Sequence, residues 1–182
     1  MKSYDQLILV DENDLEIGSG EKWRVHREGR LHRAFSIMII DSRNSMLIQK
    51  RSMVKYHSAG LWSNAVCGHP TLGETIEAAA HRRLDQEMGF DCELRRLCEF
   101  KYKATVGNEM IENEYDHVLM GRYNGIPIPD SSEIAEWKWI GIAELLESMS
   151  NSPEQFTYWF VNYLSSYVKQ MDISMLESYG QV

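Results

Sequence analysis

The segment from Glu74 to Met88 constrains the fold more than any other stretch. Ile76, Ala79, Ala80 and Leu84 recur at helical spacing and form one apolar stripe, and Gly89 supplies a C-terminal stop. On either side of this helix the periodicity is that of strands. Leu7-Ile8-Leu9-Val10 reads as a short strand closed by the turn residues Asp11 to Asp14, and Ala34 to Ile40 and Met46 to Ile48 flank Asp41 to Ser45 as a hairpin. Trp62 to Val66 reads as one buried strand. Leu94 to Lys103, Glu114 to Tyr123 and Ala135 to Ile140 read as further strands, with Asn124 to Pro129 a loop. Ser152-Pro153-Glu154-Gln155 carries the marks of a helix start, and that helix should run through Trp159 to about Lys169. Strands around one central helix, with more helix at the C-terminus, predict an α/β or α+β fold in which helices cover a mixed sheet.

A chain of 182 residues with no repeat and no Gly/Ser/Pro-rich linker suits one domain spanning 1–182. Its 43% hydrophobic and 25% charged residues leave little room for disorder. The net charge of −8, with no basic cluster, argues against a nucleic-acid surface. Cys67, Cys92 and Cys98 make an odd count without a CxxC pair, which fits a reducing compartment. Met1 to Gln6 has no apolar leader after its single Lys, and the longest apolar run, Ala34 to Ile40, is too short to span a bilayer. These features predict a soluble cytoplasmic protein with no membrane partner, a monomer or weak homodimer.

Several residues stand out chemically. Arg83 and Glu87 fall inside the apolar stripe of the central helix, where a charge is paired or binds something; an (i, i+4) ion pair is the plainer reading, and beside the residues that follow a site is favoured. His26, His32 and His69 come from three segments, and Glu112 and Glu114, two apart on a strand, face one side. Such a set suits Mn²⁺, Mg²⁺ or Zn²⁺ if it converges, although a single His is more often a surface or core residue. Cys67, at a strand end before Gly68, suits a nucleophile or proton carrier, or else a small buried thiol. Lys22, Arg51, Lys55 and Arg83 are the candidate cations for a phosphate ester, or else ordinary surface charge.

Taken together, Arg30 to Ser36, Trp62-Ser63-Asn64-Ala65-Val66-Cys67-Gly68-His69-Pro70 and Glu112-Asn113-Glu114 resemble the type 1 isopentenyl-diphosphate isomerase family, over about Leu7 to Trp159. That family is related to the Nudix hydrolases. Gly68, Glu74, Arg82, Leu84, Glu87 and Gly89 fall on the Nudix box, while Arg83 and Gln86 replace two of its acidic residues. The resemblance implies a single Nudix-like domain, a mixed sheet sandwiched by helices. It implies His26, His32, His69, Glu112 and Glu114 around one Mn²⁺, Zn²⁺ or Mg²⁺, and a second ion, Mg²⁺, bridging the substrate diphosphate to Glu87 and the Cys67 carbonyl. Cys67 and Glu114 would be the catalytic pair, with Tyr102 beside Glu114 and Trp159 over the hydrocarbon. Lys22, Arg51, Lys55 and Arg83 would grip the diphosphate. The interval from His26 to His32 is one residue shorter than in bacterial members, and Asp116-His117 is assigned no role.

Moving a double bond within isopentenyl diphosphate needs a proton added at one carbon and another removed, through a tertiary carbocation kept from water. Two other readings stand beside this one. A Nudix-type pyrophosphohydrolase would release phosphate but needs the carboxylates missing at positions 83 and 86. A non-catalytic metal-binding module would hold an ion and turn over no diphosphate.

Overall fold

The computed structural model describes residues 6–170; Met1 to Asp5, read above for a leader, and 171–182 of the expected domain lie outside them. In chain order the elements are β1 (Gln6–Val10), β2 (Glu16–Glu21), α1 (Lys22–Glu28), β3 (His32–Ile40), β4 (Ser45–Arg51), β5 (Trp62–Asn64) and β6 (Val66–Gly68). There follow α2 (Ile76–Met88), β7 (Leu94–Thr105), β8 (Ile111–Arg122), β9 (Ile134–Gly141), α3 (Ile142–Asn151) and α4 (Tyr158–Gln170).

Strand β3 organises the sheet. Along one edge it pairs in parallel with β8 from His32↔Glu114 to Ile40↔Arg122. Its other edge is shared in turn by β1 at His32, β6 from Phe35 to Ile37, and β4 at Ile39 and Ile40. Strand β8 also pairs antiparallel with β7, and β4 with β9, so the sheet is mixed as expected. Phe35, Ile37, Ile39 and Leu119 point to one face, where they pack on Ile76, Ala79, Ala80, Leu84 and Met88 of α2. Met38, Val118 and Met120 point to the other, under Leu145 and Met149 of α3 and Trp159 and Phe160 of α4. Because β3 is buried on both faces, its sequence is apolar almost without alternation.

Three expectations need correction. Trp62 to Val66 is not one strand: β3 and β4 diverge after their tight hairpin, so the segment pairs first with β4 and then with β3, with Ala65 at the crossover. The central helix starts at Ile76, because Thr75 caps Ala78 N–H while the Glu74 side chain turns back to Thr71. Ser152 caps nothing with its side chain. Pro153–Gln155 form a single 3₁₀ turn, Phe156 is extended in a parallel bridge to Trp62, and only then does α4 begin. Tertiary pairing there overrides a favourable local helix signal.

Candidate active site and metal centre

Strand register builds the first row of the site. His32 on β3, Glu114 on β8 and Tyr102 on β7 are neighbours across three strands and therefore share a face. Tyr102 donates its hydroxyl to Glu114 Oε2 at 2.6 Å. Glu112 and Asp116 flank Glu114 on that face, and Ser36 Oγ donates to Asp116 Oδ2 at 2.7 Å. Strand β6 puts Cys67 opposite Ser36.

Helix α1 supplies the other side. Glu21 caps it by accepting from the amides of Trp23 and Arg24, and Gly29, at φ 61°, ends it in the left-handed conformation. Lys22 and His26 are one turn apart, and His26 Nδ1 donates to the Lys22 carbonyl at 2.7 Å. His32 Nδ1 donates to the Arg30 carbonyl at 2.9 Å. With Nδ1 so engaged, each ring in its neutral form presents a lone pair at Nε2. Those two Nε2 atoms and Glu112 Oε2 are buried without a hydrogen-bond partner, and they face one another at 3.4 Å and 3.9 Å. Three electron-rich atoms so placed need a proton or a shared cation between them.

His26, His32, His69 and Glu112 each offer one ligand atom, all within 4.8 Å of one another. Glu114 Oε1 adjoins them, 2.9 Å from His69 Nε2 and 3.5 Å from His32 Nε2. The five residues expected around one ion thus lie close together, His26 included. Imidazole and carboxylate donors in this number suit a divalent cation. Burial opposes ionisation of Glu112, but the neighbouring His26 and His57 rings hold it well below its ordinary value; burial takes His69 down to about 4.

In front of this cluster lies a cavity of about 210 Å³. Cys67, Tyr102, Glu112, Glu114 and Trp159 line it, and so do the four expected cations, Lys22, Arg51, Lys55 and Arg83. Lys55 is ion-paired to Glu133, and Arg83 to Glu87 and, at 3.4 Å, to Glu133. Glu87 is buried behind Arg83 rather than on the cavity wall, so the (i, i+4) pair is present and of the two only Arg83 lines the cavity. Burial, then neighbouring cations, lowers Lys55 to about 8 despite the Glu87 charge.

Cys67 Sγ receives the indole N–H of Trp159 at 3.1 Å and donates to Asn64 Oδ1 at 3.0 Å. Burial, with Asp116 nearby, pushes this thiol up to about 12, so it stays protonated at neutral pH and suits a proton carrier better than a nucleophile. Arg51 lies over the Trp159 ring at 5.4 Å. Sequence reasoning missed His57, whose Nε2 is 2.7 Å from Glu112 Oε1, and gave no role to Asp116, which is fully buried beside Ser36. A fourth His two residues after Lys55 was the only available signal, and it carries no periodicity.

The fold and this cavity define a NUDIX-type domain, and the NUDIX domain family matches residues 30–160. A Deinococcus radiodurans protein, DR0079, shares the fold with a TM-score of 0.68 at 22% identity, covering 80% of this chain and 89% of that one. A MutT protein from Methanosarcina mazei does so with a TM-score of 0.64 at 15% identity, covering 77% and 94%. Two curated bacterial relatives are much closer in sequence. Isopentenyl-diphosphate Delta-isomerase 2 of Photorhabdus laumondii is 50% identical over 154 residues, 85% of this chain and 87% of the relative. The isopentenyl-diphosphate Delta-isomerase of Burkholderia multivorans is 50% identical over 156 residues, 86% and 89% respectively. The chain belongs to the isopentenyl-diphosphate Delta-isomerase family of NUDIX-type proteins. Among the described residues, no helix is long and apolar enough to cross a membrane.

Proposed function

We propose that the protein interconverts isopentenyl diphosphate and dimethylallyl diphosphate in isoprenoid biosynthesis by a proton shift through a tertiary carbocation. The observation that carries this reading is the pairing, on the walls of one small cavity, of a thiol that donates to Asn64 and a tyrosine-bonded carboxylate. Isomerisation adds a proton at the terminal alkene carbon and removes one from the carbon next to the one bearing the diphosphate. Cys67 and Glu114 are the acid and base of this exchange, and Tyr102 steadies Glu114. The Trp159 ring faces the carbocation, with cation–π attraction on the order of 2 kcal/mol in a desolvated site. Lys22, Arg51, Lys55 and Arg83 bind the diphosphate, so binding energy away from the reacting carbons holds the short tail in place.

His26, His32, His69, Glu112 and Glu114 would hold a Mn²⁺, Zn²⁺ or Mg²⁺ ion, whose charge fixes the Glu114 carboxylate and adjusts its acidity. For Glu87, with the Cys67 carbonyl, to hold a second ion, Mg²⁺, against the diphosphate, Arg83 would have to leave the Glu87 carboxylate it now covers. Arg83 and Gln86, standing where a NUDIX hydrolase carries carboxylates, favour isomerisation over hydrolysis. We read the whole chain as one domain of a cytoplasmic enzyme, monomeric or weakly dimeric, acting on a small molecule. Incubation with isopentenyl diphosphate and Mg²⁺, followed by proton NMR, tests the proposal: allylic methyl signals without phosphate release are expected. Phosphate release without those signals makes the protein a hydrolase, and no turnover leaves a metal-binding module.

A further inference from the structure

No step of that reaction uses His57, yet the residue is built firmly into the site. It lies in the turn between β4 and β5 that also carries Lys55, and it is 4% exposed. Its Nε2 is 2.7 Å from Glu112 Oε1, and its Nδ1 is 3.2 Å from Ser58 Oγ. A carboxylate oxygen in this setting accepts, so the imidazole N–H sits on Nε2, and the Ser58 hydroxyl is left to donate to Nδ1. His57 is not in the set of residues whose ligand atoms lie mutually within 4.8 Å. Its ring centroid is 6.1 Å from that of His26, but its Nε2 is taken up by Glu112 Oε1 instead of being offered to the shared cluster. Glu112 has one oxygen bonded to His57 and the other, Oε2, turned unpartnered toward His26 and His32.

The same residue reaches two further parts of the site. The His57 carbonyl accepts from Arg51 Nη2 at 3.3 Å, and its ring meets Trp159 edge-on at 6.0 Å. A glutamate rotates freely about its last torsion and binds an ion through one oxygen or two. A fixed donor on Oε1 removes that freedom.

We infer that His57 is a positioning residue of the metal centre, holding Glu112 Oε1 so that Oε2 alone is aimed at the ion, and tying that aim to the turn that carries Lys55. This rests on reading the His/Glu cluster as a divalent-ion site. The test is Mn²⁺ affinity of the full-length protein, measured from the free-ion electron paramagnetic resonance signal, for the parent, His57→Ala and His57→Gln. Outer partners of metal ligands typically contribute about 10- to 100-fold, so His57→Ala should weaken Mn²⁺ binding by that factor. A glutamine amide reaches the position of the imidazole Nε2 and donates there, so His57→Gln should recover most of the loss. The visible spectrum of Co²⁺ bound to His57→Gln should match the parent, because no ligand has changed.

Ala binding within about threefold of the parent would overturn the inference. So would a Gln variant as weak as Ala, or a Co²⁺ spectrum in His57→Gln showing one nitrogen ligand fewer, which would make His57 a ligand itself. A parent that binds neither ion overturns the metal centre and the inference with it, whereas a parent that binds with unaffected variants overturns the inference alone.

Discussion

Replacing Tyr102 by Phe removes a single oxygen, and that oxygen is the 2.6 Å donor to Glu114 Oε2. Both residues are buried, so no bulk water takes over the bond. A hydrogen bond to a charged group contributes about 1.5–3 kcal/mol, which converts to a loss of about 10- to 150-fold in turnover. The ring keeps its packing: it stacks on Phe100 with centroids 5.6 Å apart and faces Tyr158 at 6.0 Å, contacts Phe makes equally well. The structure gives the Tyr102 hydroxyl no bond to any of the four cations of the cavity, so the loss should fall on kcat while KM stays within about twofold. Initial rates measured by NMR over a range of isopentenyl diphosphate concentrations separate the two constants, and circular dichroism checks the fold. A fall in kcat smaller than about threefold, or a rise in KM with kcat intact, would refute the view that this bond sets up Glu114 for proton transfer.

Three further outcomes are expected. Trp159→Phe keeps an aromatic face but loses the N–H to Cys67 Sγ, so kcat should fall by roughly 10-fold, read in the same NMR assay. Lys55 titrates near 8, its charge being lost as pH rises through that value, so kcat/KM should decline above about pH 8 and Lys55→Arg should abolish that limb of the pH profile. Glu74 accepts two 2.7 Å bonds from Arg82, which, with Thr71 and against partial burial, take its carboxyl from an ordinary 4.5 to about 2. A carboxyl depressed on folding stabilises above its unfolded pKa and loses that contribution as pH falls toward 2. Urea unfolding at pH 7 should therefore find Glu74→Gln less stable by about 1 kcal/mol once solvent screening is counted, with the gap narrowing below about pH 5.

Much of the fold was legible because its main strands and α2 bury whole faces and so write their period into the chain. What escaped notice has weak local signals. Strand β2, Glu16-Ile17-Gly18-Ser19-Gly20-Glu21, is a mostly exposed edge with one large apolar residue, so alternation has nothing to act on. Helix α1 is seven residues long, below the length at which a 3.6 period can be recognised, and its cap is Glu21 rather than Ser or Thr. Helix α3 buries only Leu145 and Met149. At the site, the ligand types could be read from the chain, but their convergence could not. It depends on the parallel register that sets His32 beside Glu114, and on a helix that went unrecognised. His57 was invisible for a related reason: its partner is 55 positions away, and the turn that carries it has no repeat to betray which way the ring points.

The bridge from Trp62 to Phe156 reaches beyond local geometry. The Thr157 amide donates to the Trp62 carbonyl at 2.9 Å, and the Thr157 hydroxyl meets Ser63 Oγ at the same distance, just ahead of the turn that presents Trp159. Two stretches more than 90 positions apart in the chain are thereby clipped into one small unit of opening. In hydrogen exchange the amides of β5 and the first turn of α4 should gain and lose protection together, so that when the indole swings away from the sulfur the strand beneath loosens in the same event.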